Sequence, residues 1–81
     1  MVTLVNLKKV NNIVEYDYFD LDKENKGHVV YDIEKGKAVE VKYCIEDENS
    51  YLKTCFKKSL IAVKNMIEHN TFLEKYEYMW Y

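Results

Sequence analysis

The chain has no proline and no arginine, and only two glycines and two cysteines in 81 residues. Without proline there is no Pro-rich linker. With Gly27 and Gly36 alone, few positions can take a left-handed turn at no steric cost. The missing arginine removes the side chain best suited to bidentate contacts with phosphate and guanine, since all 12 cations are lysines. Abundant Lys, Asn, Ile and Tyr fit an AT-rich coding bias equally well. Cys44 and Cys55 stand eleven positions apart, which matches no metal or redox motif. No apolar run approaches the roughly 20 residues a membrane helix needs. The first nine residues have neither a basic start nor a long apolar stretch, so no export signal is expected. A cytoplasmic location with both thiols reduced is the expectation that follows.

What remains is a folding sequence. Hydrophobic residues make up 48 % and aromatics 15 %, well above a disordered composition. Residues 1–81 are too few for a second core, so a single domain is expected. A chain of this size buries only about 60–65 % of its unfolded surface, which leaves a modest margin of stability. Net charge is −2, too near neutral for a bulk field toward nucleic acid or anionic membranes. The charge is uneven: residues 1–48 hold 11 acids and 7 lysines, and residues 49–81 hold 3 acids and 5 lysines.

Hydrophobic periodicity predicts an α+β fold: a four-stranded antiparallel β-meander with one long amphipathic helix packed on one face, and a short C-terminal fifth strand. Asn11-Asn12 suits a type I′ turn, because Asn tolerates the left-handed conformation. Closing the hairpin there pairs Val10 with Ile13, Lys8 with Glu15, Leu7 with Tyr16, Asn6 with Asp17 and Val5 with Tyr18. Val5, Leu7, Val14, Tyr16 and Tyr18 then share one face, while Asn6, Lys8, Glu15 and Asp17 share the other. A polar loop over 20–27 leads to strands over 28–33 and 37–45. The Glu34-Lys35-Gly36 turn sets Tyr31 opposite Val39, Val29 opposite Val41, Val30 opposite Glu40 and His28 opposite Lys42. Residues 46–50 are acidic and end in two N-cap residues, Asn49 and Ser50. From 50 to about 69, Leu52, Cys55, Phe56, Ser59, Leu60, Ala62, Val63, Met66 and Ile67 fall on one arc of a helix. Ile61 sits alone on the opposite, lysine-rich face. Asn70 can end the helix in a left-handed cap. Beyond it, Thr71-Phe72-Leu73-Glu74 has capping-box spacing, whereas residues 76–81 alternate as a strand; a turn and a short strand is the expectation.

No constellation of catalytic residues is visible, and no cofactor is expected. Asp20-Leu21-Asp22-Lys23-Glu24 opens like a calcium loop. The sixth and twelfth positions, however, are Asn25 and Tyr31, where an EF-hand needs Gly and Glu, so no metal is expected. His28 and His69 have no activated nucleophile near them in sequence. Cys55 belongs to the helix's apolar arc; Cys44 alternates to the outer strand face, which predicts partial exposure. Eight tyrosines could suggest base stacking, but Tyr16, Tyr18, Tyr31 and Tyr43 fall on the helix side of the sheet. The expected function is therefore a small non-enzymatic protein-interaction or accessory module, acting on a protein partner or as a homodimer. Ile61, Tyr78, Trp80 and Tyr81 are the candidate surface, because Trp and Tyr are enriched at binding hot spots and a terminal strand leaves an open edge. The alternative is a nucleic-acid-linked role, as a weak binder through the helix lysines or an acidic DNA mimic; direct nucleic-acid binding is disfavoured. No membrane association is expected.

Overall fold

The structure, a computed structural model, describes residues 1–79. Strands β1 (Val2–Val10), β2 (Ile13–Phe19), β3 (Gly27–Asp32) and β4 (Lys37–Lys42) form the expected antiparallel meander. A one-turn helix α1 (Ile45–Glu48) and the main helix α2 (Thr54–Glu68) follow, and then β5 (Tyr76–Tyr78). β5 returns to the first strand, so the sheet runs β4-β3-β2-β1-β5. The mixed α+β class, the helix laid on one sheet face and the short fifth strand all agree with the sequence pattern.

The core lies between the sheet and α2. Val2, Leu4, Leu7, Val14, Tyr16, Tyr18, Val29 and Tyr31 from the sheet meet Cys55, Ala62, Val63 and Met66 from the helix. Phe56, Leu60 and Ile67 pack at its margin. Tyr43 is half-buried and meets Phe56 edge-on, with centroids 5.5 Å apart. Burying large aromatic rings in so small a domain supplies much of its hydrophobic stabilisation.

Both hairpins depart from uniform pairing. Val10 opposite Ile13 and Lys8 opposite Glu15 stand as expected, but Val5 faces Asp17 and Leu4 faces Tyr18. Asn6, at φ 55°, forms a bulge that absorbs one residue. Leu4 consequently enters the core where Val5 was expected to. At the first turn only Asn11 takes a positive φ, so the turn is not type I′, which needs two. In the second hairpin His28, Val30 and Val29 face Lys42, Glu40 and Val41 as expected, but Tyr31 meets Ala38, which leaves Val39 as a second bulge. Gly36 takes the predicted left-handed conformation, φ 69°. Gly27 serves a different need. A Cβ there would overlap the Tyr18 ring and lie 2.6 Å from the Lys42 carbonyl oxygen. Only glycine lets the sheet close over Tyr18 at that point.

The helix begins four residues later than predicted. Asn49 and Ser50 do not cap it, and Leu52 is exposed instead of buried. The cap comes from Asp47, 1 % exposed. Its Oδ1 accepts the Cys55 N–H at 3.2 Å and its Oδ2 the Phe56 N–H at 2.8 Å. Tyr18 donates its hydroxyl to the same Oδ2 at 2.8 Å and accepts the Cys44 N–H at 3.2 Å. Ser59 donates to the Phe56 carbonyl at 2.7 Å, so Tyr16 must donate to Ser59 Oγ at 2.9 Å. At the other end Asn70, φ 50°, forms the predicted left-handed cap. The Thr71 N–H bonds the Met66 carbonyl and the Asn70 N–H the Ile67 carbonyl, the paired bonds of a Schellman motif.

Asp47→Ala is expected to destabilise the fold by about 3 kcal/mol, combining a lost helix cap with a stranded buried hydroxyl. Urea unfolding measures this as a fall in midpoint at constant m-value. A loss below about 1 kcal/mol would show that the cap is dispensable.

Candidate interaction surfaces

The α1–α2 connection is set by Asp47. Its carboxylate holds the first turn of α2, while its carbonyl accepts the Ser50 N–H at 3.0 Å and Lys53 Nζ at 2.7 Å. Lys53 adopts a left-handed backbone, φ 52°, and its ammonium lies 4.9 Å from the centre of the Tyr43 ring. Such a backbone costs a non-glycine residue about 1 kcal/mol, which these contacts offset. Pinned at both ends, the loop has no slack to fold its middle inward. Tyr51 is 98 % exposed and Leu52 62 %. Ile45, on α1, is also exposed. Sequence periodicity assigned Leu52 to the helical arc and gave Tyr51 no role. No local signal marks the loop, because the cap of α2 comes from Asp47, eight and nine residues upstream of the groups it binds.

Of the residues singled out in sequence, Ile61 stands exposed in the middle of the outer face of α2. Tyr78 is half-buried; it faces Val2 across the β1–β5 pair and packs against the core. Trp80 and Tyr81 lie outside the described residues. The structure thus sets Ile61 on the helix and Tyr78 on the terminal strand as separate features, and does not join them into one patch.

The open face of the sheet carries a polar network. His28 bridges two carboxylates of β2, with Nδ1 2.6 Å from Asp17 Oδ1 and Nε2 3.0 Å from Glu15 Oε1. Asn6 donates to Asp17 Oδ2 at 3.0 Å. The hydrogen bond to Asp17 raises the His28 pKa above its usual value despite partial burial, and Glu15 adds to the effect. Burial opposes the Asp17 charge, but bonds from His28 and Asn6 outweigh it and hold that carboxyl below the usual range.

The acidic loop over 20–26 is occupied with its own backbone. Asp22 Oδ1 accepts the Glu24 and Asn25 N–H groups, and Oδ2 accepts the Asn25 amide. Glu46 Oε2 reaches across from α1 to the N–H groups of Leu21 and Asp22. Among the described residues, no group of three or more His, Cys, Asp and Glu side chains is arranged to hold a metal ion.

Cys44 corrects an expectation. It is fully buried, because the chain leaves the strand path after Lys42 and turns the thiol inward. Burial raises its pKa, and burial pushes the Cys55 thiol up to about 12. Both are free thiols held in their protonated, weakly nucleophilic form. Among the described residues no helix is long and apolar enough to cross a membrane.

Comparison with known proteins gave no match: no family model fits the chain, and no curated protein or solved structure is detectably similar.

The His28 bridge makes stability depend on pH. A histidine whose folded pKa is raised adds stability that is fully present below its unfolded pKa of about 6.5. That contribution is lost as pH rises through the higher folded value. His28→Gln is therefore expected to lower the melting temperature most below about pH 6.5 and progressively less as the pH rises above it. Melting curves of both proteins on either side of that value test this, and a pH-independent difference would refute it.

Proposed function

We propose that the protein is a non-enzymatic interaction module that docks a protein partner through the loop carrying Tyr51 and Leu52. The observation that carries this is the exposure of two adjacent large side chains on a rigidly pinned loop. Leaving a leucine in water forgoes about 1.5–3 kcal/mol of burial, a substantial loss for a domain with so modest a margin. A partner that covers the pair recovers that energy, and a pre-set loop loses little entropy on binding. Tyrosine is also a favoured hot-spot residue.

The non-enzymatic reading rests on how the polar groups are spent. Asp47, Tyr18, Tyr16 and Ser59 are committed to the core, and Asp22 and Glu46 to loop closure. The two cysteines are inert thiols, and their unpaired state supports a cytoplasmic location. The nucleic-acid alternative has weaker support. Lys53 is engaged within the fold, and two of the open-face carboxylates that a DNA mimic would present are tied to His28.

Affinity capture from native cells, with the full chain and with Tyr51→Ser/Leu52→Ser, tests the proposal. Both side chains are exposed, so the variant should melt at the same temperature as the parent. A protein retained by the parent and lost, by about tenfold or more, with the folded variant is the expected result. Identical captured sets would overturn the role of this loop.

A further inference from the structure

The end of the sheet away from the Asn11-Asn12 turn carries a cleft on its open face. Glu77 of β5 stands opposite Thr3 of β1, and Thr3 opposite Phe19 of β2, so the three form one row across the sheet. Thr3 and Phe19 are buried, at 5 % and 6 % exposure, although alternation with Leu4 and Tyr18 sets them on the side away from α2. They floor a cleft of about 300 Å³, walled by the loop that follows β2 and by the segment around β5. That volume stands at the small end of ligand pockets, roughly 300–1,000 Å³. Lys26 lies over the Phe19 ring, 5.8 Å from its centre, and helps to cover it.

Two features of this cleft are unspent by the fold. The first is the Thr3 side chain, which lines the floor, while its hydroxyl makes no hydrogen bond among the described residues. A nearly buried hydroxyl is costly to leave unpaired, and valine would fill the same space in a strand equally well. The second is charge. Asp20 and Lys23 stand on the loop wall; Glu77 and Lys75, in the bend before β5, stand opposite. None of the four forms an ion pair or hydrogen bond with a described residue. Opposite charges that line one cleft without closing on each other offer both signs to whatever enters. An anion alone would bring its charge against Asp20 and Glu77, and a cation alone against Lys23 and Lys75. Phe19, with Met1 and Leu21 at the rim, adds apolar surface. The loop wall is also pre-set. Glu46 Oε2 holds the Leu21 and Asp22 N–H groups, and Asp22 Oδ1 those of Glu24 and Asn25, so little ordering remains for binding to cost.

We propose that this cleft binds a free α-amino acid with an apolar side chain. The carboxylate faces Lys23 and Lys75, the ammonium faces Asp20 and Glu77, the side chain lies against Phe19, and the Thr3 hydroxyl supplies a hydrogen bond. Because the charged groups at the rim are exposed and screened by water and salt, the affinity is modest. The cleft is separate from the loop of Tyr51 and Leu52, so either proposal can fail without the other.

Amide NMR titration of the full chain with L-leucine, L-methionine and L-phenylalanine tests this. At least one should give saturating shifts centred on Thr3, Phe19 to Lys23 and Lys75 to Glu77, with a Kd of about 1 mM or tighter. For the best binder, the matching carboxylic acid without the amino group and the matching amine without the carboxylate should each bind about fivefold more weakly. Lys75→Gln should weaken the acid and spare the amine, and Glu77→Gln should do the reverse. Thr3→Val should weaken the amino acid by about fivefold or more without lowering the melting temperature, because no bond within the fold is lost. The absence of saturating shifts with all three amino acids overturns the proposal, as do shifts centred elsewhere. So does equal binding of either singly charged analogue, or a Thr3→Val protein that binds like the parent.

Discussion

The fold depends on one buried carboxylate. Asp47 joins three parts of the molecule: its carboxylate holds the sheet through Tyr18 and the start of α2 through Cys55 and Phe56, and its carbonyl holds the connecting loop through Ser50 and Lys53. A carboxylate removed from water is costly unless both oxygens are hydrogen-bonded and its charge is stabilised. Here three donors reach its two oxygens, and two of them are N–H groups at the positive end of the helix dipole. Because Oδ2 holds both Tyr18 and Phe56, the helix cannot shift along the sheet without breaking a bond to one of them. Burial and the bond to Asp47 raise the Tyr18 pKa well above the ordinary range, so its hydroxyl stays a donor throughout the physiological range.

That same hub explains what was legible in the sequence and what was not. Alternation correctly assigned Tyr16, Tyr18 and Tyr31 to the core, because a half-buried sheet repeats every two residues whatever its partners are. The helical arc from Cys55 to Ile67 was legible for the same reason at a different period. The helix start was not. Local capping rules favour Asn49 or Ser50, but Asp47 bonds from eight and nine residues upstream, a distance no local motif spans. Leu52 was lost to the helix as a direct result. Cys44 was misplaced because alternation was extended past Lys42, where the strand has already ended.

Register failed in a more regular way. Each hairpin was correct over part of its length and slipped by one residue beyond a bulge, at Asn6 in the first and Val39 in the second. A bulge moves every later side chain to the other face, so Leu4 replaced Val5 in the core. Asn6 could have signalled this, since asparagine tolerates the positive φ that a bulge demands. The open-face network does not depend on the slip: Asn6 and Asp17 belong to the polar face in either register, and His28 stands directly opposite Asp17 across β2 and β3.

The exposed surfaces follow from how the core is closed. Capping α2 with a buried residue from α1 requires a loop that runs out from Asp47 and returns to Cys55 within a few residues. A loop so short, tied at Ser50 and Lys53, leaves its middle in water whatever side chains stand there. Polar residues at positions 51 and 52 would satisfy the fold equally well, since neither side chain contributes to the core. The fold therefore accounts for the exposure of these positions but not for their being tyrosine and leucine. Isolated apolar side chains on a surface need no explanation. Two together, on the loop that the Asp47 carbonyl ties at Ser50 and Lys53, are what the proposed partner contact would cover.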